Sequence, residues 1–512
     1  MGPMSEPPIY LDHNSTTPID PRVVEAMTRA WRDCGANPAS QHAPGRRARR
    51  MLEVAREGIA ELLGAKTGGM HADRVIFTSG GTEANNLAIV GLCGEAQQRV
   101  LVSAIEHPST KAAADELWRR RKKIRKERIV VAFAENESLS DDSHDIDAQL
   151  MIRAGEGDSE ARVQLMIRYL KPLQTFFEQL VGDREQAGRM AADVFARALH
   201  ERSDYKLELR FRNWLFSIAH DVAADAWRIG SGVHVLPVDS SGLVNIDWVE
   251  DFARGRLNRR PSYAKEGDPL QLVSVMLANN ETGIIQPIEK LAALCRERGT
   301  TMHTDAVQAV GKIRVHFGEL GVDAMTVAPH KFHGPLGIGA LIVRQSVKLN
   351  PQLFGGFQQE GLRPGTENVA LAVGFHAALE IAVKELPERG PRMRSLRDEL
   401  ERTSLAELPD TEIIGHNGPR LPNTSCISFP GVDRQALVMA LDMAGVACST
   451  GSACASGSSE PSPTLLAMGL PKEVIACAIR LSLGAFTTAD EVAEATRRII
   501  NAVKHLRSRK SS

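Results

Sequence analysis

The sequence of 512 residues has almost no net charge, −1 at pH 7. It therefore lacks a global field that would draw it onto nucleic acid or an anionic membrane. No apolar run approaches the roughly 20 residues that a helix needs to cross a bilayer, so no membrane partner is expected. The opening stretch, "MGPMSEPPIYLDHN", lacks a basic start followed by an apolar run, and no secretion signal is expected from it. Cysteine is sparse: Cys34, Cys93, Cys295, Cys426, Cys448, Cys454 and Cys477, an odd number with no CxxC pair. That argues against a disulfide framework or a zinc cage, gives no expectation of a metal site, and fits a reduced cytoplasm. One segment lacks bulky side chains almost entirely. "CSTGSACASGSSEPSPT", Cys448 to Thr464, holds two thiols among residues too small to anchor a core.

What is present is the composition of a globular protein, 43% hydrophobic and 24% charged. The length exceeds one ordinary core and predicts two or more domains. "RVIFTSGGTEANNLAIVGL" reads as strand, Gly-rich turn and helix, and "VLVSAIEHPST" as strand and turn. The same alternation resumes at "VHVLPVDSSG" and continues through "LVSVMLANN", "TMHTDA", "AMTVAP" and "GALIVR". It predicts an α/β fold with a mostly parallel sheet. A charged helix, "PRMRSLRDELERTSL", then opens an α+β C-terminal portion. Between the two α/β stretches the texture changes. A basic run, "RRRKKIRKER", and an acidic, Ser-rich run read as a solvated linker. Helical patterns with apolar residues at three- and four-residue spacing follow, and predict a small all-α domain inserted into a surface loop.

The chemistry concentrates at predicted strand ends. In "MTVAPHKFHGPLGIGALIV" a lysine follows a strand and precedes a Gly-Pro-rich turn. Taken alone, it reads as an ordinary surface lysine. Upstream, "TMHTDAVQAVG" ends a strand on an aspartate, "SGGTEANN" opens a helix, and "AIEHPST" places a histidine in a turn. Together these are the parts needed to hold pyridoxal phosphate (PLP): a lysine for the Schiff base, a carboxylate to keep the pyridine nitrogen protonated, and a helix start for the phosphate. No piece is specific by itself; their order, each at a strand end of an open sheet, is what points to the cofactor.

These stretches, with "YLDHNSTTPIDP", "NPASQHAPGRRAR", "ANNETGIIQPI", "GLRPGTENV", "GSACASGSSEPSPTLLAMG" and "AIRLSLGAFTTADEV", resemble the cysteine desulfurases of the NifS/IscS type, within the class V aminotransferases of fold-type I. The resemblance implies a homodimer with Lys331 as the Schiff-base lysine, and His107 stacked on the coenzyme and moving protons. It implies that Asn280, Asp305 and Gln308 contact the ring, and that Gly81, Thr82 and His330 hold the phosphate, with Thr366 reaching the partner subunit's site. Arg480 is implied to grip the substrate carboxylate, for which a forked guanidinium is suited. Two motifs depart from the family pattern, at three positions. Ala328 stands where a serine is usual, and "GGFQQ" replaces "GGGQE", with Phe357 and Gln359 for Gly and Glu. The expected division is a PLP-binding large domain over 1–121 and 229–383, a linker over 122–144, the insert over 145–228, and a small C-terminal domain over 384–512 that the first residues, up to Asn14, join.

By the same resemblance Cys454 takes sulfur from L-cysteine as a persulfide and L-alanine is released. The sulfur then passes to an acceptor protein, an iron–sulfur scaffold or a tRNA-thiolation relay. A thiol that travels between coenzyme and surface suits a loop of small residues, where packing contacts are few. The plainer reading, a buried inert thiol, suits the other six cysteines. A selenocysteine lyase, or another lyase of the class, is the alternative on the same fold.

The insert resembles region 2 of sigma-70-type factors of the extracytoplasmic-function group, from Asp145 to Arg228. Gly188, Arg189 and Ala192 replace its usual acidic and amide residues, and Asp221 puts negative charge where DNA would approach. A scaffold or docking module is expected rather than one that binds RNA polymerase or DNA. The rival reading, a regulatory protein serving a sigma-like insert, would predict polymerase co-purification and salt-sensitive DNA binding.

Overall fold

Apolar, largely β-branched runs build the strands. They are β1 (Ile9–Tyr10), β2 (Arg74–Thr78), β3 (Arg99–Ser103), β4 (Val233–Leu236), β5 (Leu270–Ser274), β6 (Thr301–Asp305), β7 (Ala324–Val327) and β8 (Gly339–Val343). The computed structural model describes residues 8–69, 72–93, 99–122, 144–181, 184–200, 233–254, 270–451 and 461–510, with single positions between 211 and 222. Strands β2 to β8 form one seven-stranded sheet in the order β2-β8-β7-β6-β5-β3-β4. Strand β8 runs antiparallel to both of its neighbours, and the other pairs are parallel. The mostly parallel sheet expected from the alternating pattern is present. Every residue of β7 and β8 is buried, as strands covered on both faces must be.

This topology makes a site. Strands β2, β3, β5, β6 and β7 run in one direction, so the turns leaving their C-terminal ends share one edge of the sheet. Those turns carry Gly81, His107, Asn280, Gln308 and Lys331. Helix α1 (Gly81–Cys93) starts directly after the turn from β2 and is apolar nearly all round, with Ala84, Leu87, Ala88 and Ile89 buried. Helix α2 (Pro108–Lys122) starts just after His107.

Helices α3 (His144–Gly155), α4 (Ser159–Val181) and α5 (Arg184–His200) follow. Among the described residues from 144 to 222, every assigned element is a helix. They enclose a core of their own, with Leu165, Tyr169, Phe176, Phe177, Met190, Val194 and Phe211 buried together. Buried Asp147 anchors it, accepting from Tyr169 Oη at 2.6 Å and Arg168 at 2.7 Å. The basic run expected as linker lies mostly outside the described residues.

Helix α6 (Val369–Glu407) differs from the expectation. The helix expected to open at Pro391 begins at Val369 and passes through Pro387 and Pro391 without a break. Each proline forfeits a backbone hydrogen bond, but both ends of the rod are fixed by packing: Phe375 and Leu379 in the core of the large sheet, Leu400 in that of the small one. The small domain adds β9 (Glu412–Ile414), β10 (Thr424–Ser428), β11 (Val446–Ala447) and β12 (Ala478–Ser482). Strands β12, β10 and β9 form an antiparallel sheet in that order. Strand β1 pairs in parallel with β11, and Leu11 joins the small domain's core. The chain then crosses back, so that Asn14 and Ser15 stand between the two sheets and over the site.

Candidate active site

Lys331 ends a single 3-10 turn, Pro329–Lys331, directly after β7. Its Nζ donates to the carbonyls of Asn14 and Ser15, both at 2.6 Å. His330 beside it lies 3.3 Å from Thr16 Oγ1, and burial, with Lys331 and Lys312 adding to it, brings its pKa down to about 4. Asp305 closes β6. Its carboxylate accepts from Asn85 Nδ2 at 2.7 Å and from the Val307 N–H at 2.9 Å. Among the described residues no lysine or arginine makes an ion pair with it, although it is buried. His107 is fixed by Ser109: Nδ1 accepts the Ser109 N–H at 3.2 Å and lies 2.7 Å from its hydroxyl. Burial lowers the His107 pKa, Asp305 opposes that, and Lys331 adds to it. With Nδ1 accepting the Ser109 N–H, the neutral form of the ring carries its proton on Nε2.

Gln308 donates from Nε2 to the Asn14 carbonyl at 2.9 Å and accepts from Lys312 at 2.7 Å. The Asn280 carbonyl accepts from Asn14 Nδ2 and from Arg480. Gly81 and Thr82 form the first turn of α1. A Cβ on Gly81 would come within 3.2 Å of Val307 and 3.6 Å of Ala328, so glycine keeps the helix start open against the β6 and β7 turns. Ala328, one of the positions that depart from the family pattern, faces this spot. Thr366 is exposed, on the loop ahead of α6. Cys454 and the loop around it, 452–460, lie outside the described residues. Cys448 does not: burial pushes its thiol up to about 12, an inert group.

Arg480 is the most confined member of the set, at 1% exposure. Its two Nη atoms donate to the carbonyls of Asn280 and Gly451, to Ser15 Oγ at 2.8 Å and to Asp12 Oδ1 at 2.7 Å. A carboxylate of the protein itself thus holds the guanidinium expected to bind the substrate. Sequence reasoning gave no part to Asp12, Asn14, Asn85, Glu106 or Lys312, although all lie in or beside the motifs singled out. Glu106 is fully buried and accepts from the Met276 N–H at 2.6 Å. Burial raises its pKa well above the carboxylate range, and Asp305 adds to the rise.

The donor set suits a phosphorylated, protonated pyridine ring. A buried carboxylate that no lysine or arginine among the described residues pairs with matches a ring N–H, and an open helix start matches a phosphate. The profile described as aminotransferase class-V matches residues 9–139 and 232–494, leaving the helical stretch between them out. The chain belongs to the class V aminotransferase family. Within it, the chain is 34% identical to an IscS-like cysteine desulfurase of Mycobacterium tuberculosis, over 93% of this chain and 91% of that one. It is 31% identical to the cysteine desulfurase IscS of Dictyoglomus turgidum, over 94% and 91%. The solved NifS-like protein of Rickettsia africae superposes with a TM-score of 0.66 at 25% identity, over 98% of this chain and 99% of that one. The protein is accordingly an enzyme of the IscS/NifS kind, the PLP-dependent cysteine desulfurases.

Proposed function

We propose that the protein removes sulfur from L-cysteine with Lys331, His107 and Cys454 as its catalytic residues, giving L-alanine and a Cys454 persulfide. The supporting observation is the convergence of Lys331, Asp305, His107 and Arg480, from distant parts of the chain, on one edge of the sheet. PLP bound there would draw electrons away from the substrate's α-carbon. Asp305 would hold the ring nitrogen, Asn280 and Gln308 the ring's polar edge, and Gly81, Thr82 and His330 the phosphate. Arg480 binds the substrate carboxylate by exchanging it for Asp12. His107, fixed by Ser109, carries protons to and from the substrate. The Cys454 thiolate attacks the substrate sulfur: an S–S bond forms, the C–S bond breaks, and the carbon takes up a proton to become the methyl group of alanine.

The decisive assay measures alanine and sulfide released from L-cysteine. Cys454→Ser should abolish both, and Lys331→Ala should remove the visible band of bound coenzyme. Purified protein that stays colourless when given PLP sinks the reading. Activity on selenocysteine alone would select the lyase alternative. Exposed Thr366 and the neighbouring Phe354 and Phe357, 88% and 95% exposed, support a homodimer in which Thr366 reaches the other subunit's phosphate; light scattering tests it. The insert is read as a docking or scaffold module, supported by its separate core and by Gly188 and Arg189 at the positions where sigma factors carry acids. Salt-sensitive binding of the protein to DNA would overturn that reading.

A further inference from the structure

Behind the site lies a lysine that the reaction as proposed does not use. Lys312 is buried, at 5% exposure, and among the described residues no carboxylate pairs with it. Burial, then Lys331 and Arg480, hold its pKa well below the ordinary range. An amine in that position is unfavourable unless each N–H finds an acceptor. Nζ donates to Gln308 Oε1 at 2.7 Å and to Asn14 Oδ1 at 3.2 Å. Neither acceptor can turn around. Asn14 Nδ2 is committed to Thr424 Oγ1 at 2.9 Å and to the Asn280 carbonyl at 3.2 Å. With its oxygen on Lys312, the Gln308 amide must turn its nitrogen the other way, and Nε2 meets the Asn14 carbonyl at 2.9 Å. That carbonyl also accepts from Lys331 Nζ, so Gln308 Nε2 and the reactive amine stand on the same side. An amide nitrogen carries two protons, and Asn14 takes one.

We infer that Lys312 is a positioning residue: it locks the Gln308 amide so that an N–H, and not the carbonyl, is presented on the Lys331 side, toward the phenolic oxygen of the coenzyme. Without that lock only the Asn14 carbonyl still selects the orientation, and a flipped amide would offer an oxygen to an oxygen. The inference rests on the reading of this pocket as the PLP site.

The test uses the full chain, reconstituted with PLP and followed by its visible spectrum and by the titrated coenzyme affinity. Gln308→Leu should shift the band and weaken binding about tenfold, the loss of one hydrogen bond to a charged group. Lys312→Met, near in length but without donors, should reproduce that shift and loss, and the double variant should add nothing further. A lysine that only fills the core would lower the melting temperature and leave the spectrum of the bound coenzyme unchanged. Should Lys312→Met not fold, Lys312→Gln, which keeps a donor at shorter reach, takes its place with an intermediate shift. An unshifted band in whichever of these binds PLP, or full additivity in the double variant, overturns the inference. A wild-type protein that takes up no PLP overturns the underlying reading instead.

Discussion

The Asp12–Arg480 pair makes the sharpest prediction. Arg480 is almost fully enclosed, and Asp12, whose side chain is 20% exposed, supplies its carboxylate at 2.7 Å. Breaking a buried ion pair from one side typically costs about 3–5 kcal/mol, because the remaining charge is left unpaired. Asp12→Asn keeps an acceptor for Nη2, and Ser15 with two carbonyls still bonds the guanidinium. The loss should therefore fall to about 2–3 kcal/mol, read as a lower thermal midpoint for the small domain. The same change should help the ligand. In the wild type an incoming carboxylate must displace Asp12; in the variant it meets an uncompensated cation. Affinity for L-alanine, the proposed product, should rise about tenfold for each 1.4 kcal/mol of competition removed, measured by calorimetry. Reduced stability with unchanged alanine affinity would show that Asp12 is a structural counter-ion only. Unchanged stability as well would refute the electrostatic argument.

Three further outcomes follow from single residues. Ala328→Ser restores a hydroxyl beside the open start of α1 and should tighten PLP binding about tenfold, measured by absorbance titration; no gain would show that the phosphate does not sit there. His303, wholly buried between Ser274 Oγ at 2.9 Å and Thr326 Oγ1 at 3.0 Å, has its pKa pulled down by burial from 6.5 to about 4. Between those values the unfolded chain takes up a proton that the folded chain refuses, so stability is complete above pH 6.5 and falls as pH drops toward 4. The loss is worth about 3 kcal/mol, and His303→Gln should flatten that part of a urea-midpoint curve; an unaltered slope counts against it. Phe177→Ala, in the centre of the insert's core, should cost about 3–5 kcal/mol and expose α4 to protease while the coenzyme band persists. Loss of the band along with the helices would show that the two cores are not independent.

The sheet was legible because each strand is a short apolar run closed by glycine or a polar turn, and the site because its motifs sit where such runs stop. Periodicity places Asp305 and Lys331 at strand ends without any knowledge of contacts. What it does not carry is pairing across the chain. Asp12 and Arg480 are joined only when β1 has paired with β11 and brought the N-terminal segment against β12. Lys312 reads as the polar end of a turn, and nothing local announces that it will be buried against Asn14. The two prolines of α6 read as breakers, since the packing that overrides them lies in two different cores.

Gln359 shows the same limit from the other direction. Measured against the family pattern it is a lost glutamate. In the fold it stands at the edge of the large sheet, where β2 has a neighbour on one side only. Its Oε1 accepts the Phe77 N–H at 2.7 Å and its Nε2 donates to the Phe77 carbonyl at 2.9 Å. A single side chain thus completes the hydrogen bonding of an edge residue, as a further strand would. A carboxylate there can accept the N–H but cannot donate to the carbonyl. The departure therefore acts on the edge of β2, three residues ahead of the turn that opens α1, and bears on the coenzyme only through how firmly that turn is held.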